Sequence, residues 1–153
     1  MLERYVYKNQ QKMRCGYTTG TCACAAAKAA AQMLLSGRKT DKVKVMTPSG
    51  VSLLLDVEDI SMKDTQVSCA IRKDSGDDPD VTNGIYVYAK VSYAEVSYAE
   101  AYYDKGQNEQ KNDKRIIVDG GKGVGRITKK GLSRPVGAAA INPCLLYTSD
   151  AAD

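Results

Sequence analysis

The chain has 153 residues, 43% of them hydrophobic and 26% charged, with a formal net charge of +4. That is enough chain for one domain with a packed core, and no apolar run approaches a membrane span. There is no His, Trp or Phe, which removes the usual general base and the commonest neutral metal ligand and leaves all aromatic packing to Tyr, whose hydroxyl must stay wet or bonded.

The N-terminus, Met-Leu-Glu-Arg-Tyr-Val-Tyr-Lys, lacks a signal-peptide core, so a cytoplasmic location is expected. Residues 1–15 are mixed, with no clear period beyond Tyr5-Val6-Tyr7. The stretch from Gly16 to Gly37 then reads as a hydroxyl-rich turn feeding one long helix. Thr18, Thr19 and Thr21 stand where an N-cap oxygen would hold free backbone N–H groups, and Gly20 lets the backbone come close to something else. Cys22 to Leu35 has no Pro or Gly and is dominated by Ala, so helix propensity is high; Gly37 is the expected stop. Cys22, Ala26, Ala29 and Met33 share one face at helical spacing. Its small side chains suit close packing on a sheet or a broad ligand lying against the helix. The N-terminus of such a helix can capture an anion, or it can simply be a capped packing helix.

Lys42–Met46 alternates like a strand, Pro48-Ser-Gly50 is turn chemistry, and Val51–Val57 is a second strand, together a hairpin. Residues 58–66 read as a polar connection. Val67–Lys73 and Ile85–Val91 read as the next two strands. A five-residue unit, Val-Ser-Tyr-Ala-Glu, then occurs twice over 91–100, and 104–115 is a strongly polar loop. Arg115–Val118 is expected to be a fifth strand. One helix with hairpin-linked strands implies an α+β (or α/β) fold, with the Ala-rich helix packed on a mixed, largely hairpin-built sheet.

Two loops have the composition of a working site. Asp74-Ser-Gly-Asp-Asp-Pro-Asp-Val-Thr-Asn-Gly84 carries four carboxylates in seven residues. Its spacing fails the calcium-loop pattern. Magnesium held by Asp77, Asp78 or Asp80, a plain turn, and a general base raised in pKa by like charges all remain open. The second loop runs from Asp119 to Gly131, with glycines at 120, 121, 123 and 125. It matches neither the dinucleotide fingerprint nor the P-loop. It reads as a backbone approaching a ligand, with Lys122, Arg126, Lys129 and Lys130 as donors for carboxylates, or as a solvated basic turn. Of the five cysteines, Cys15, Cys22 and Cys24 crowd together, with Cys22 and Cys24 on different sides of a helix. That is poor geometry for a disulfide or a zinc site, and all are expected to be reduced.

The last ten residues, 144–153, do not match the rest. They back-translate to a string resembling a transposase adapter, so the native domain is expected over 1–143 and a non-native tail over 144–153. Without Asp150 and Asp153 the acids fall from 18 to 16 against 22 bases, and the net charge rises to +6, which favours polyanionic partners.

Gly16-Tyr-Thr-Thr-Gly-Thr-Cys-Ala, the 74–84 loop, and Gly120-Gly-Lys-Gly-Val-Gly-Arg-Ile-Thr-Lys-Lys-Gly-Leu with Pro135-Val-Gly and Ala140-Ile-Asn-Pro143 resemble, in this order, the CbiD family. The resemblance covers about 13–143, apart from 91–113. It implies a methyltransferase that moves a methyl group from S-adenosylmethionine to C1 of a cobalt corrinoid ring in the anaerobic route to cobalamin. The implied partner is that small-molecule macrocycle, not nucleic acid or a membrane; the oligomeric state is left open. Expected substrate contacts are Thr18, Thr19, Gly20, Thr21, Asp80, Thr82, Gly121, Lys122, Gly123 and Gly125, converging on one carboxylate-gripping pocket. Asp77 and Asp78 are candidates for accepting a proton or steadying developing charge, and no resident metal is assigned. Family members continue past Pro143, so the chain is expected to be an inactive N-terminal fragment with the cofactor site in the missing part. The competing reading is a non-catalytic module that binds a corrinoid or another polyanion; a third is a domain whose three loops merely pack together.

Overall fold

A computed structural model describes residues 4–8, 10–93, 116–131 and 135–141. The chain divides into two units, Met1–Ser92 and Tyr93–Asp153.

The first unit is an α+β layer built on one helix. Strands β1 (Tyr5–Lys8) and β2 (Gln11–Arg14) form an antiparallel hairpin, where sequence periodicity shows only a fragment of strand. Helix α1 runs Thr19–Ser36. Thr18 is its N-cap, accepting from the Thr21 amide at 3.2 Å, and Gly37 closes it in the left-handed region (φ 66), its N–H bonding Met33 O at 2.9 Å. Strands β3 (Lys42–Met46) and β4 (Ser52–Asp56) make the expected hairpin. Thr47 fixes its turn: its N–H bonds Val51 O, and its Oγ1 accepts from Val51 N at 3.0 Å.

Residues 58–66, expected as a connection, hold strand β5 (Glu58–Lys63), paired antiparallel with β6 (Gln66–Arg72). The run Glu-Asp-Ile-Ser-Met-Lys reads as a loop because it is an edge strand that buries little: its pattern has no fully buried residue. Strand β7 (Tyr86–Ser92) pairs with the other side of β6. Every pairing of these strands is antiparallel and the sheets are small. Ile116–Val118, expected as a strand, belongs to none and stays exposed. Most of the repeated segment, the polar loop and the tail lie outside the described residues.

The core is the interface of α1 with β6, β7 and β3. Cys22, Ala26, Ala29 and Met33 are fully buried, as the helical spacing predicts, with Ala25 and Ala30 beside them. They pack with Val43, Val45, Leu53, Leu55, Val67, Cys69 and Ile71. The helix face is therefore closed by protein and is not open to a planar ligand, which corrects one of the two uses read from its flatness.

Burial sorts the described cysteines. Cys22 and Cys69 are buried and Cys24 is exposed; desolvation pushes the Cys22 and Cys69 thiols up to about 11. A raised value means that folding favours the thiol over the thiolate. That stability is intact below the ordinary thiol range and is lost as pH rises through it towards 11. In the native chain, Ellman's reagent at mildly alkaline pH is expected to modify Cys24 quickly, with Cys22 and Cys69 reacting only on unfolding; rapid labelling of Cys69 would contradict this packing.

Candidate functional site

In the first unit, two of the three motifs interlock through their backbones. Tyr17 N donates to Asp74 O at 2.8 Å and Asp77 N to Arg14 O at 3.0 Å, and Cys15 bridges to Gly76. A Cβ on Gly16 would stand 2.2 Å from the Ser75 carbonyl carbon, and one on Gly76 (φ +66) 2.3 Å from Arg14 O. Only glycine lets the two chains approach this closely.

Side chains fasten the same junction. Arg14 forks onto Asp74 with two bonds of 2.7 Å, while the Arg14 amide donates to Asp77 Oδ2 at 2.6 Å. Asp80 is held by the ammonium of buried Lys73 and by Thr82, whose N–H and hydroxyl both donate to its Oδ1. The Arg14 guanidinium holds the Asp74 carboxyl below the usual carboxylate range. Lys73, then the Thr82 backbone and hydroxyl, hold Asp80 well below it. Asp74 and Asp80 are thus each matched with a cation, which removes these two as general bases of elevated pKa. A depressed value stabilises the fold above the ordinary carboxylate range and loses that contribution as pH falls through and below it. Acidification from neutrality is therefore expected to open the 74–84 loop first, read by hydrogen exchange at Gly76, Asp77 and Thr82; uniform protection loss across the unit would refute this.

Beside the junction lies a cleft of ≈ 320 Å³. Its floor is the 15–18 turn and the first turn of α1, contributing Thr18 and Thr21; its other walls are Arg4 and Val6 near β1, and Thr47, Ser49, Val51 and Leu53 around the β3–β4 turn. The first turn of α1 holds no acidic residue. Among the described residues Arg4 is the charged side chain that lines the cleft, and it makes no ion pair there.

The second unit carries the glycine-rich turn. Arg126 forks onto Asp119 at 2.8 and 3.2 Å, so it is not a spare donor for a ligand. Arg126 pairs with Ala139 across an isolated bridge, and Ile127 N bonds Ala138 O at 2.9 Å. Gly120 packs tightly on Ala139 and Val124, whereas Gly121 and Gly123 (φ +86) face open space. Lys122, Lys129 and Lys130 are exposed.

Of the expected contacts, Thr18 and Thr21 line the cleft; Thr19 and Gly20 sit in the same helical turn. Asp80 and Thr82 bond each other and Lys73. Asp77 is taken by the Arg14 amide, and Asp78 is exposed. Gly121, Lys122, Gly123 and Gly125 belong to the second unit. Arg4, Thr47 and Ser49 were not foreseen. Arg4 sits in a stretch without periodicity, and the Thr47–Ser49 pair looks like ordinary turn chemistry until the hairpin is folded. Among the described residues no three Cys, Asp or Glu side chains are grouped as a metal ion would require.

The first unit is thus an α+β domain whose two glycine-locked motifs meet beside a cleft lined by hydroxyls, one guanidinium and apolar side chains. The CbiD family model matches residues 6–147, and the chain belongs to that family. It is 45% identical over 93% of its length to the cobalt-precorrin-5B C(1)-methyltransferase of Ruminiclostridium cellulolyticum, 48% over 93% to that of Alkaliphilus metalliredigens, and 49% over 93% to that of Treponema denticola. It covers 32%, 33% and 36% of those proteins, so the chain spans about a third of the length of the curated relatives it matches. No solved structure matches it.

Proposed function

We propose that the chain is part of a cobalt-precorrin-5B C(1)-methyltransferase of cobalamin biosynthesis, acting on a cobalt corrinoid in the cytoplasm. The observation that carries this is the 45–49% identity to relatives of that name over 93% of the chain. Residues 1–143 form the family domain in this reading and 144–153 a foreign tail, although the family model's match runs four residues past that boundary; sequencing the source DNA checks it. The methyl donor is S-adenosylmethionine, which supplies an activated methyl group. The cleft does not fit it: no described carboxylate lines it to meet the donor's ammonium and sulfonium, so the donor is assigned a site outside this cleft, and the chain alone is expected to be inactive. What these residues contribute is grip and alignment of the ring, which is most of what such a transfer asks of a protein.

Asp77 and Asp78 are both exposed, and one oxygen of Asp77 accepts from the Arg14 amide; handling of a proton or of developing charge on this loop is assigned to these two, with Asp78 the less engaged. Labelled methyl transfer to cobalt-precorrin-5B by a chain of the relatives' length tests the activity; binding of the corrinoid without product would favour a non-catalytic module. Asp78→Asn is expected to leave thermal unfolding unchanged, because the side chain is exposed, and to slow turnover. Unchanged turnover removes the role.

A further inference from the structure

We propose that the cleft beside the 15–18 turn is a carboxylate site, with Arg4 as its anchoring cation, and that it takes one acetate or propionate arm of the macrocycle. The proposal rests on the corrinoid reading above and names where one arm goes.

The argument is a donor count. Thr18 Oγ1 and Thr21 Oγ1 lie 3.1 Å apart, and either hydroxyl could be the donor. Thr18 Oγ1 also accepts from the Thr21 amide. Whichever way the bond runs, one of the two O–H protons is left over. Thr47 Oγ1 and Ser49 Oγ, 3.0 Å apart, repeat the pattern across the cleft, with Thr47 already accepting from Val51 N. Again one O–H proton remains. Arg4 adds a guanidinium, donor-only and always charged, with no ion-pair partner among the described residues. Three sets of surplus donors thus face one space that no described carboxylate lines. The hydroxyls keep acceptor lone pairs as well, so the sign of the ligand is set by Arg4, whose donor-only, permanently charged guanidinium calls for an anion.

Shape narrows the class. Val6, Val51 and Leu53 line the same cleft, so the ligand has an apolar stem as well as an anionic tip. A volume of ≈ 320 Å³ is at the lower end of the range for ligand pockets, about 300–1,000 Å³. It suits a short carboxylated arm and the ring edge that bears it, not a whole tetrapyrrole. A guanidinium–carboxylate pair adds charge-assisted bonds with a defined direction.

The test is calorimetric titration of this chain with cobyrinic acid, a cobalt corrinoid with free acetate and propionate arms, and with its fully methylated ester. Arg4→Gln is compared with Arg38→Gln, which removes the same charge at an exposed position beyond the far end of α1. The wild-type chain is expected to bind the acid and not the ester. Arg4→Gln is expected to weaken binding about tenfold or more, and Arg38→Gln to change it little. Circular dichroism confirms that each variant is folded. Equal loss from both variants would mean a general charge effect and overturn the site. So would unchanged binding by Arg4→Gln, or equal affinity for acid and ester; in both cases methyl transfer by the longer chain stands untouched. Failure to bind either compound overturns the site and the gripping role of this segment, and the methyl-transfer assay then decides the family activity separately.

Discussion

Gly16→Ala is expected to undock the 74–84 loop from the β2–α1 turn. The new methyl carbon would meet three backbone atoms, Ser75 C at 2.2 Å, Asp74 O at 2.4 Å and Gly76 N at 2.5 Å. No rotamer change relieves a collision with main chain, so one of the two segments must move. The bonds at stake are Tyr17 N to Asp74 O, Asp77 N to Arg14 O and the Arg14 fork. A loss of about 3 kcal/mol or more is expected, at the upper end of overpacking changes. Gly121→Ala is the internal control: nothing lies within 4 Å of its added Cβ, and its effect should be negligible. Urea unfolding of the two variants measures the difference; equal midpoints would mean that the interlock is not tight in solution.

Met33→Ala is expected to be the most damaging truncation in the helix. Met33 is completely buried and is among the largest side chains that are. Its neighbours on the helix face are Ala29 and Ala30, which are too small to fill the space it leaves. The cost should fall in the range of about 2–5 kcal/mol for such truncations, a large share of the roughly 5–15 kcal/mol that holds a domain together. Leu35→Ala, at a residue 76% exposed, should shift the midpoint little. A small effect at position 33 would mean that α1 does not pack on β6 and β7 as described.

What was legible in the sequence was whatever rests on local rules. The helix, its Thr18 cap, its Gly37 stop and its buried face follow from spacing and capping chemistry, and so does the β3–β4 hairpin. Strands β1, β2 and β5 were missed because short edge strands bury little and carry no strong alternation. The turn reading of the 74–84 loop holds, since Asp80 accepts from the nearby Thr82 N–H, but the like-charge reading of its carboxylates does not hold for Asp74 and Asp80. Their partners, Arg14 and Lys73, were invisible: Arg14 stands 60 residues from Asp74 in the chain. The Thr18–Thr21 side of the cleft was foreseen from the helix start, whereas Arg4, Thr47 and Ser49 join it only through tertiary folding.

Because Gly16 and Gly76 fit each other main chain to main chain, the two turns form a single mechanical part. Lengthening either turn by one residue would throw the other out of alignment.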